Sequence, residues 1–217
     1  MLYVLIGKVF TGGSPYMHCR IPRNLLLFFT MAGIILEING QHLRRVHHRT
    51  GALVSMDREK VYIETSIVSY LTARPSSDLL AAAWQKVTID WWDTQRQRFG
   101  LFVSGIVVEE AGRGGTIAAV RRLEALAGIP LLAITDEVLA FSEALIQAGA
   151  LPRKALGDSL HISVSAVHGI NYLLTWNYRH IDNAETKPII RKVCLANSYS
   201  YPEICTPREL MGVYENG

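Results

Sequence analysis

Val61-Tyr62-Ile63-Glu64-Thr65-Ser66-Ile67-Val68 begins as a β-branched and aromatic run, breaks at a carboxylate, and continues with hydroxyl residues suited to a helix start. It predicts a strand over 61–63 and a helix over 67–71 with Thr65-Ser66 as its N-cap. Similar units follow. Leu80, Trp84, Val87, Trp91 and Thr94 repeat at i, i+4, i+7, i+11 and i+14, the period of a long amphipathic helix that ends before Gly100. Residues 101–104 read as a second strand, leading into a helix that carries Glu109 and Glu110, and a further helix over 117–126 stops at Gly128. Residues 131–134 form the third predicted strand. Thr135-Asp136-Glu137 starts a helix through Ala148, and Pro152 separates it from a helix over 158–167 ended by Gly169. A fourth strand spans 172–175, followed by a helix over 184–196 broken near Pro188 and a short run Glu203-Ile204-Cys205. Strands alternating with helices predict an α/β domain of three layers, a mainly parallel central sheet flanked by helices.

With 217 residues, 49% of them hydrophobic and 19% charged, the chain has material for one ordinary core and is not of disordered composition. The net charge of +3 is unevenly placed. Residues 1–55 hold six Lys or Arg against Glu37 alone, a balance of +5, which leaves 16 basic and 18 acidic side chains, or −2, in residues 56–217. The larger part therefore carries no bulk sign of nucleic-acid binding, and such a partner would be engaged by a local patch or through metal ions. Four of the seven histidines fall in the first 55 residues, which show no sustained strand or helix period. We expect an N-terminal extension over 1–55, outside the fold, with Met56 as the native start and the domain over 56–217. The apolar run over 25–36 is shorter than the ~20 residues of a membrane span. Arg20 and Arg23 precede it as in a signal peptide, but no Ala-x-Ala-like site follows. Cys19, Cys194 and Cys205 are odd in number and form no CxxC pair, which fits a reducing cytoplasm without a disulfide framework or structural zinc.

Carboxylates distant in sequence but placed at strand ends converge in an open parallel sheet, where ligands bind beyond the carboxyl ends of the strands. Glu64, Glu110 and Asp158 have that placement, and the spacing suggests a metal site. Each also has a plainer reading. Glu64 is either a buried acid in need of a partner or a solvated loop residue. Neighbours on a helix point about 100° apart, so only one of Glu109 and Glu110 faces a site; Glu110 is the choice, against two surface glutamates near a helix start. Asp158 is a ligand or a first-turn acid. His161 and Ser165, one and two turns on, lie beside it, His161 as a supporting or internally satisfied histidine. Asn177, in Thr175-Trp176-Asn177, offers a carbonyl oxygen to a hard cation or forms a turn. Asp182 is a spare acid or a helix-entry residue.

Taken together, Val61-Tyr62-Ile63-Glu64-Thr65-Ser66, Val107-Val108-Glu109-Glu110-Ala111-Gly112-Arg113-Gly114, Gly157-Asp158-Ser159-Leu160-His161-Ile162 and Leu173-Leu174-Thr175-Trp176-Asn177 resemble the successive motifs of PIN-domain proteins, in particular the VapC-like toxins of bacterial type II toxin-antitoxin systems. The resemblance covers residues 60–210. It implies a PIN fold and a ribonuclease dependent on Mg²⁺ or Mn²⁺, acting on RNA and neutralised by a cognate antitoxin, and a homodimer is expected. Glu64 matches the first acid, Glu110 the second and Asp158 the third, while Asn177 stands where a fourth acid often does. Thr65, Ser66, His161, Thr175 and Asp182 are the supporting residues. Two departures stand out. The first acid is usually aspartate, and the uncharged fourth position weakens the case for a second cation. A catalytically silent PIN-like module that binds RNA or protein is the alternative. A small-molecule enzyme is disfavoured by the lack of GxGxxG, Walker A and GxSxG motifs. Trp91-Trp92 is expected to leave one ring for a dimer or antitoxin contact, or part-buried on the domain's own surface.

Overall fold

Val61, Tyr62 and Ile63 have no exposed surface, as expected of a strand with neighbours on both edges and helices on both faces. In the computed structural model, which describes residues 58–212 and four two-residue strands upstream, they belong to β1 (Lys60–Ile63) at the centre of a five-stranded sheet. Its companions are β2 (Gly100–Ser104), β3 (Leu131–Leu132), β4 (Tyr172–Leu174) and β5 (Glu203–Cys205), in the order β3-β2-β1-β4-β5. Every pairing is parallel, with Val61 opposite Leu101 on one side and Tyr172 on the other. Upstream, Phe28–Phe29 pairs antiparallel with Ile35–Leu36, and Ile38–Asn39 with His42–Leu43. The chain divides into two compact units, Met1–Leu53 and Val54–Gly217. The expected start at Met56 and Cys19 lie outside the described residues.

Seven α-helices flank the sheet among the described residues: α1 (Thr65–Thr72), α2 (Leu79–Thr94), α3 (Gly105–Ala111), α4 (Thr116–Leu126), α5 (Asp136–Gln147), α6 (Leu156–Val167) and α7 (Lys187–Ala196). α1 packs on α2, α3 and α4, whereas α5 packs on α6 and α7, giving the two helical layers of a three-layer α/β domain. The chain reverses direction across the sheet between β3 and β4. The switch point of the sheet therefore falls between β1 and β4, and its carboxyl edge is the place where open α/β sheets form a crevice and bind ligands. No helix among the described residues is long and apolar enough to cross a membrane.

Several elements differ from expectation for identifiable reasons. The N-cap of α1 is Glu64, whose carboxylate accepts the Ser66 N–H at 3.1 Å; Thr65 and Ser66 are already helical. In α2, Leu80 is exposed, and the inward face carries Gln85, Thr88, Trp91 and Trp92. Its polar members are bonded: Gln85 accepts from the Ser76 N–H and donates to the Arg74 carbonyl, and Thr88 Oγ1 accepts the indole N–H of Trp176 at 2.8 Å. Both Trp91 and Trp92 are buried, the first against Phe99 and the second beneath the guanidinium of Arg96, so neither ring is left for a dimer or antitoxin contact. Pro188 lies in the first turn of α7, where its missing N–H costs nothing, rather than breaking a longer helix. α6 is buried on most of its circumference, including Ser159, His161, Ser163 and Ser165, so His161 and Ser165 are interior residues and not surface neighbours of Asp158.

The Trp176–Thr88 bond joins the carboxyl edge of β4 to α2 through buried atoms. Thr88→Val keeps the side-chain shape and orphans the indole N–H, so urea unfolding should register a loss of about 1–3 kcal/mol. An unchanged midpoint would show that the bond contributes nothing.

Candidate metal centre

Glu64 leaves the end of β1 with only 5% of its surface exposed. A carboxylate in such a place is costly unless its oxygens are matched. Oε2 takes the Ser66 N–H and hydroxyl and the Thr175 hydroxyl at 2.8 Å, so α1 and the end of β4 fasten the same atom. The Ser66 hydroxyl in turn accepts the Trp176 N–H at 2.8 Å. Among the described residues no donor reaches Oε1.

Glu109 and Glu110 divide as their helical spacing predicts. Glu109 is exposed and paired with Arg113 at 2.6 Å, while Glu110 points inward. Glu110 Oε2 accepts from Thr65 Oγ1 at 2.5 Å and lies 3.2 Å from His161 Nε2. Its other oxygen faces Gly157 at the start of α6, where a Cβ would stand 3.4 Å away, at van der Waals contact. Both glutamates are thus held by one oxygen with the other turned away from protein donors. Thr65, adjacent to Glu64 and bonded to Glu110, ties the two together.

His161 completes the group. One ligand atom each from Glu64, Glu110 and His161 lies within 4.8 Å of the others, a spacing one cation spans. The imidazole is enclosed: Nδ1 is 2.8 Å from the Tyr62 hydroxyl, which is 2.6 Å from Ser104 Oγ. Burial pushes the Tyr62 phenol well above its ordinary pKa, so it stays protonated and able to donate. For His161, burial works to lower the pKa, but the Glu110 hydrogen bond and the charges of Glu64, Glu110 and Asp158 together raise it. For Glu110, burial works upward, and the bonds from His161 and Thr65 with the charges of His161 and Arg113 bring it below the usual carboxylate range.

Asp158 stands just outside this group, in the first turn of α6, one turn before His161. Its Oδ1 accepts from Asn177 Nδ2 at 2.8 Å and its Oδ2 lies 2.7 Å from His180 Nδ1. The residues singled out from the sequence therefore form two adjoining sets: Glu64 and Glu110 with Thr65, Ser66, Thr175 and His161, and Asp158 with Asn177. Asp182 joins neither. Its buried carboxylate is raised by burial and paired with Lys187, while its N–H bonds the Asn177 carbonyl. Sequence reasoning gave His161 a supporting place, and the structure puts it among the three clustered ligand groups. His180 and Tyr62 were not singled out. His180 carries no spacing signal beyond its position three residues after Asn177, whose side chain accepts its N–H. Tyr62 reads as an ordinary strand residue.

Two carboxylates and an imidazole suit a divalent cation, the oxygens favouring Mg²⁺ or Mn²⁺ and the nitrogen favouring Mn²⁺ of the two. No family model matches this chain and no curated protein does.

The His161–Glu110 contact makes the metal-free protein sensitive to pH. The folded pKa of His161 lies above its ordinary value of ~6.5, so its stabilisation is complete below that value and is lost as pH rises through the folded pKa. Glu110 has a lowered folded pKa, so its stabilisation is complete above ~4.3 and is lost as pH falls through the folded pKa. The pair stabilises most between about pH 4.3 and about 6.5. Urea unfolding of chelator-treated protein should show stability declining from there toward alkaline pH, and His161→Gln should flatten that decline. Equal slopes in the two proteins would refute the assignment.

Proposed function

We propose that this protein is a metal-dependent endoribonuclease, hydrolysing RNA phosphodiester bonds as the toxin of a type II toxin-antitoxin pair. The observation that carries the hydrolytic reading is the meeting of Glu64, Glu110 and His161 at the carboxyl edge of a parallel sheet, beside the crevice between β1 and β4. The RNA substrate and the antitoxin rest on the resemblance of the four motifs to PIN-domain toxins; a homodimeric state and a cytoplasmic location carry over from the sequence, the latter from its odd number of cysteines without a CxxC pair.

In this reading Glu64 and Glu110 would hold a Mg²⁺ or Mn²⁺ ion, and His161, in contact with Glu110, would fix that carboxylate or join the ligands. A divalent ion there would supply Lewis acidity and lower the pKa of a bound water, so that no Ser, Cys or His nucleophile is needed. Thr65, Ser66 and Thr175 keep the carboxylates from rotating. Asp158, the third acid by resemblance, is aimed by Asn177 and His180 and would orient water or a ligand at the rim of the same crevice. Such orienting groups commonly affect metal affinity or activity by roughly 10- to 100-fold.

A silent module on the same fold is the second reading, and one observation favours it: Glu64 already serves as the N-cap of α1, which gives its burial a structural reason. Calorimetric titration with Mn²⁺ separates the two, since a silent module takes up no ion specifically. If the enzyme reading holds, Glu110→Gln abolishes Mg²⁺-dependent RNA cleavage with an unchanged far-ultraviolet circular dichroism spectrum, and Asp158→Asn and Thr65→Val each lower activity by roughly 10- to 100-fold. Wild-type cleavage by either acid variant would overturn it.

A further inference from the structure

A cleft of about 640 Å³ lies between the C-terminal end of α1 and the start of α4, lined among others by Ser69, Thr72, Arg74, Thr116, Arg121 and Arg122. No acidic residue lines it. Arg122 is spent on the fold, donating to the carbonyls of Ala111 at 2.8 Å and Arg113 at 2.5 Å. Arg74 is exposed and Arg121 half-buried, and among the described residues neither has a carboxylate within 4 Å, whereas Arg113, Arg153 and Arg191 each do. Two guanidinium groups beside the Ser69 and Thr116 hydroxyls, in a hollow without a carboxylate, form a receptor for an anion with several oxygens, while the Thr72 hydroxyl is donated to the Val68 carbonyl at 2.8 Å. The start of α4 lines the same space through Gly115, Thr116, Ile117 and Ala118; Gly115 caps the helix without a side-chain bond, and nothing stands within 4 Å of where its Cβ would be.

The cleft is also in line with the acid cluster. Thr65, Ser69 and Thr72 fall at i, i+4 and i+7 on one face of α1. Thr65 touches Glu110, and the other two line the cleft. At 1.5 Å per residue the track from Thr65 to Thr72 is about 10 Å long. A stacked nucleic-acid strand rises about 3.4 Å per nucleotide, so roughly three nucleotides cover it. The near-neutral balance of residues 56–217 leaves any polyanion dependent on such a local patch.

We propose that this cleft is a subsite for backbone phosphates of single-stranded RNA about three nucleotides from the cut, held by Arg74 and Arg121. The proposal rests on the nuclease reading and names where its substrate is gripped away from the metal centre.

Binding of a fluorescein-labelled single-stranded oligouridylate, followed by anisotropy over a range of salt in the presence of chelator, tests it. Each phosphate contact on a single strand contributes about 0.7 to the slope of log affinity against log salt. The variant R74A/R121A should bind at least about tenfold more weakly with a slope smaller by about 1.4, while R74K/R121K keeps most of the slope, both melting as the parent does. With Mn²⁺ present, the alanine variant should cleave RNA at the parent rate when RNA is saturating and lose rate only when it is scarce. Unchanged affinity and slope in R74A/R121A would overturn the subsite, as would a parent protein that binds no oligouridylate or binds polyglutamate equally well. Absence of cleavage by the parent, with oligonucleotide binding still lost in R74A/R121A, would sink the nuclease reading and leave the cleft as an RNA site.

Discussion

Burying the Glu64 carboxylate at the end of the central strand is the constraint around which the carboxyl edge is organised. A carboxyl group with 5% exposure needs several donors, and they come from different parts of the chain: the Ser66 N–H and hydroxyl from the first turn of α1, and the Thr175 hydroxyl from the end of β4. One oxygen thus starts a helix and ties together strands more than 100 residues apart in sequence, at the point where the sheet reverses its winding. The Ser66 hydroxyl passes the constraint on by accepting the Trp176 N–H, and the Trp176 indole reaches Thr88 in α2.

A second polar path enters from the opposite helical layer. Ser104 at the end of β2, Tyr62 in β1, His161 in α6, Glu110 in α3 and Thr65 in α1 form an unbroken series of contacts between 2.5 and 3.2 Å. The buried members have partners throughout, which is the condition under which an interior polar network specifies one arrangement instead of weakening the core. Both paths terminate on the two glutamates. Their orientation is therefore set by the packing of both layers on the sheet, and the functional reading gains its force from that preorganisation rather than from the mere presence of acids.

The layer architecture was legible because its signals are local: β-branched runs over 61–63 and 101–104, helical periods between them, and Gly or Pro at the joints. Glu64 was legible as a charge interrupting an apolar run, and Glu110 as the inward member of a helical pair. The partners of His161 were not, because its two contacts lie 51 and 99 residues away and depend on how α6 settles against the sheet. Asp158 was placed on the correct helix, but its bonds to Asn177 and His180 depend on the fold of the loop after β4. The face of α2 was legible in part: Trp84, Val87 and Trp91 pack on the core as their period implies, but Gln85 and Thr88, which read as polar, also point inward because the buried interior offers them backbone and indole partners.

The sheet also ends in a way that bears on solubility under stress. Its outer strands, Leu131–Leu132 and Glu203–Cys205, are two and three residues long, and each directly follows a proline, Pro130 and Pro202. A proline has no N–H to offer a neighbouring chain, and strands this short template little pairing. An otherwise fully parallel sheet, a slow-forming topology with exposed margins along the way, is thereby blunted at both borders against edge-to-edge growth into fibrils.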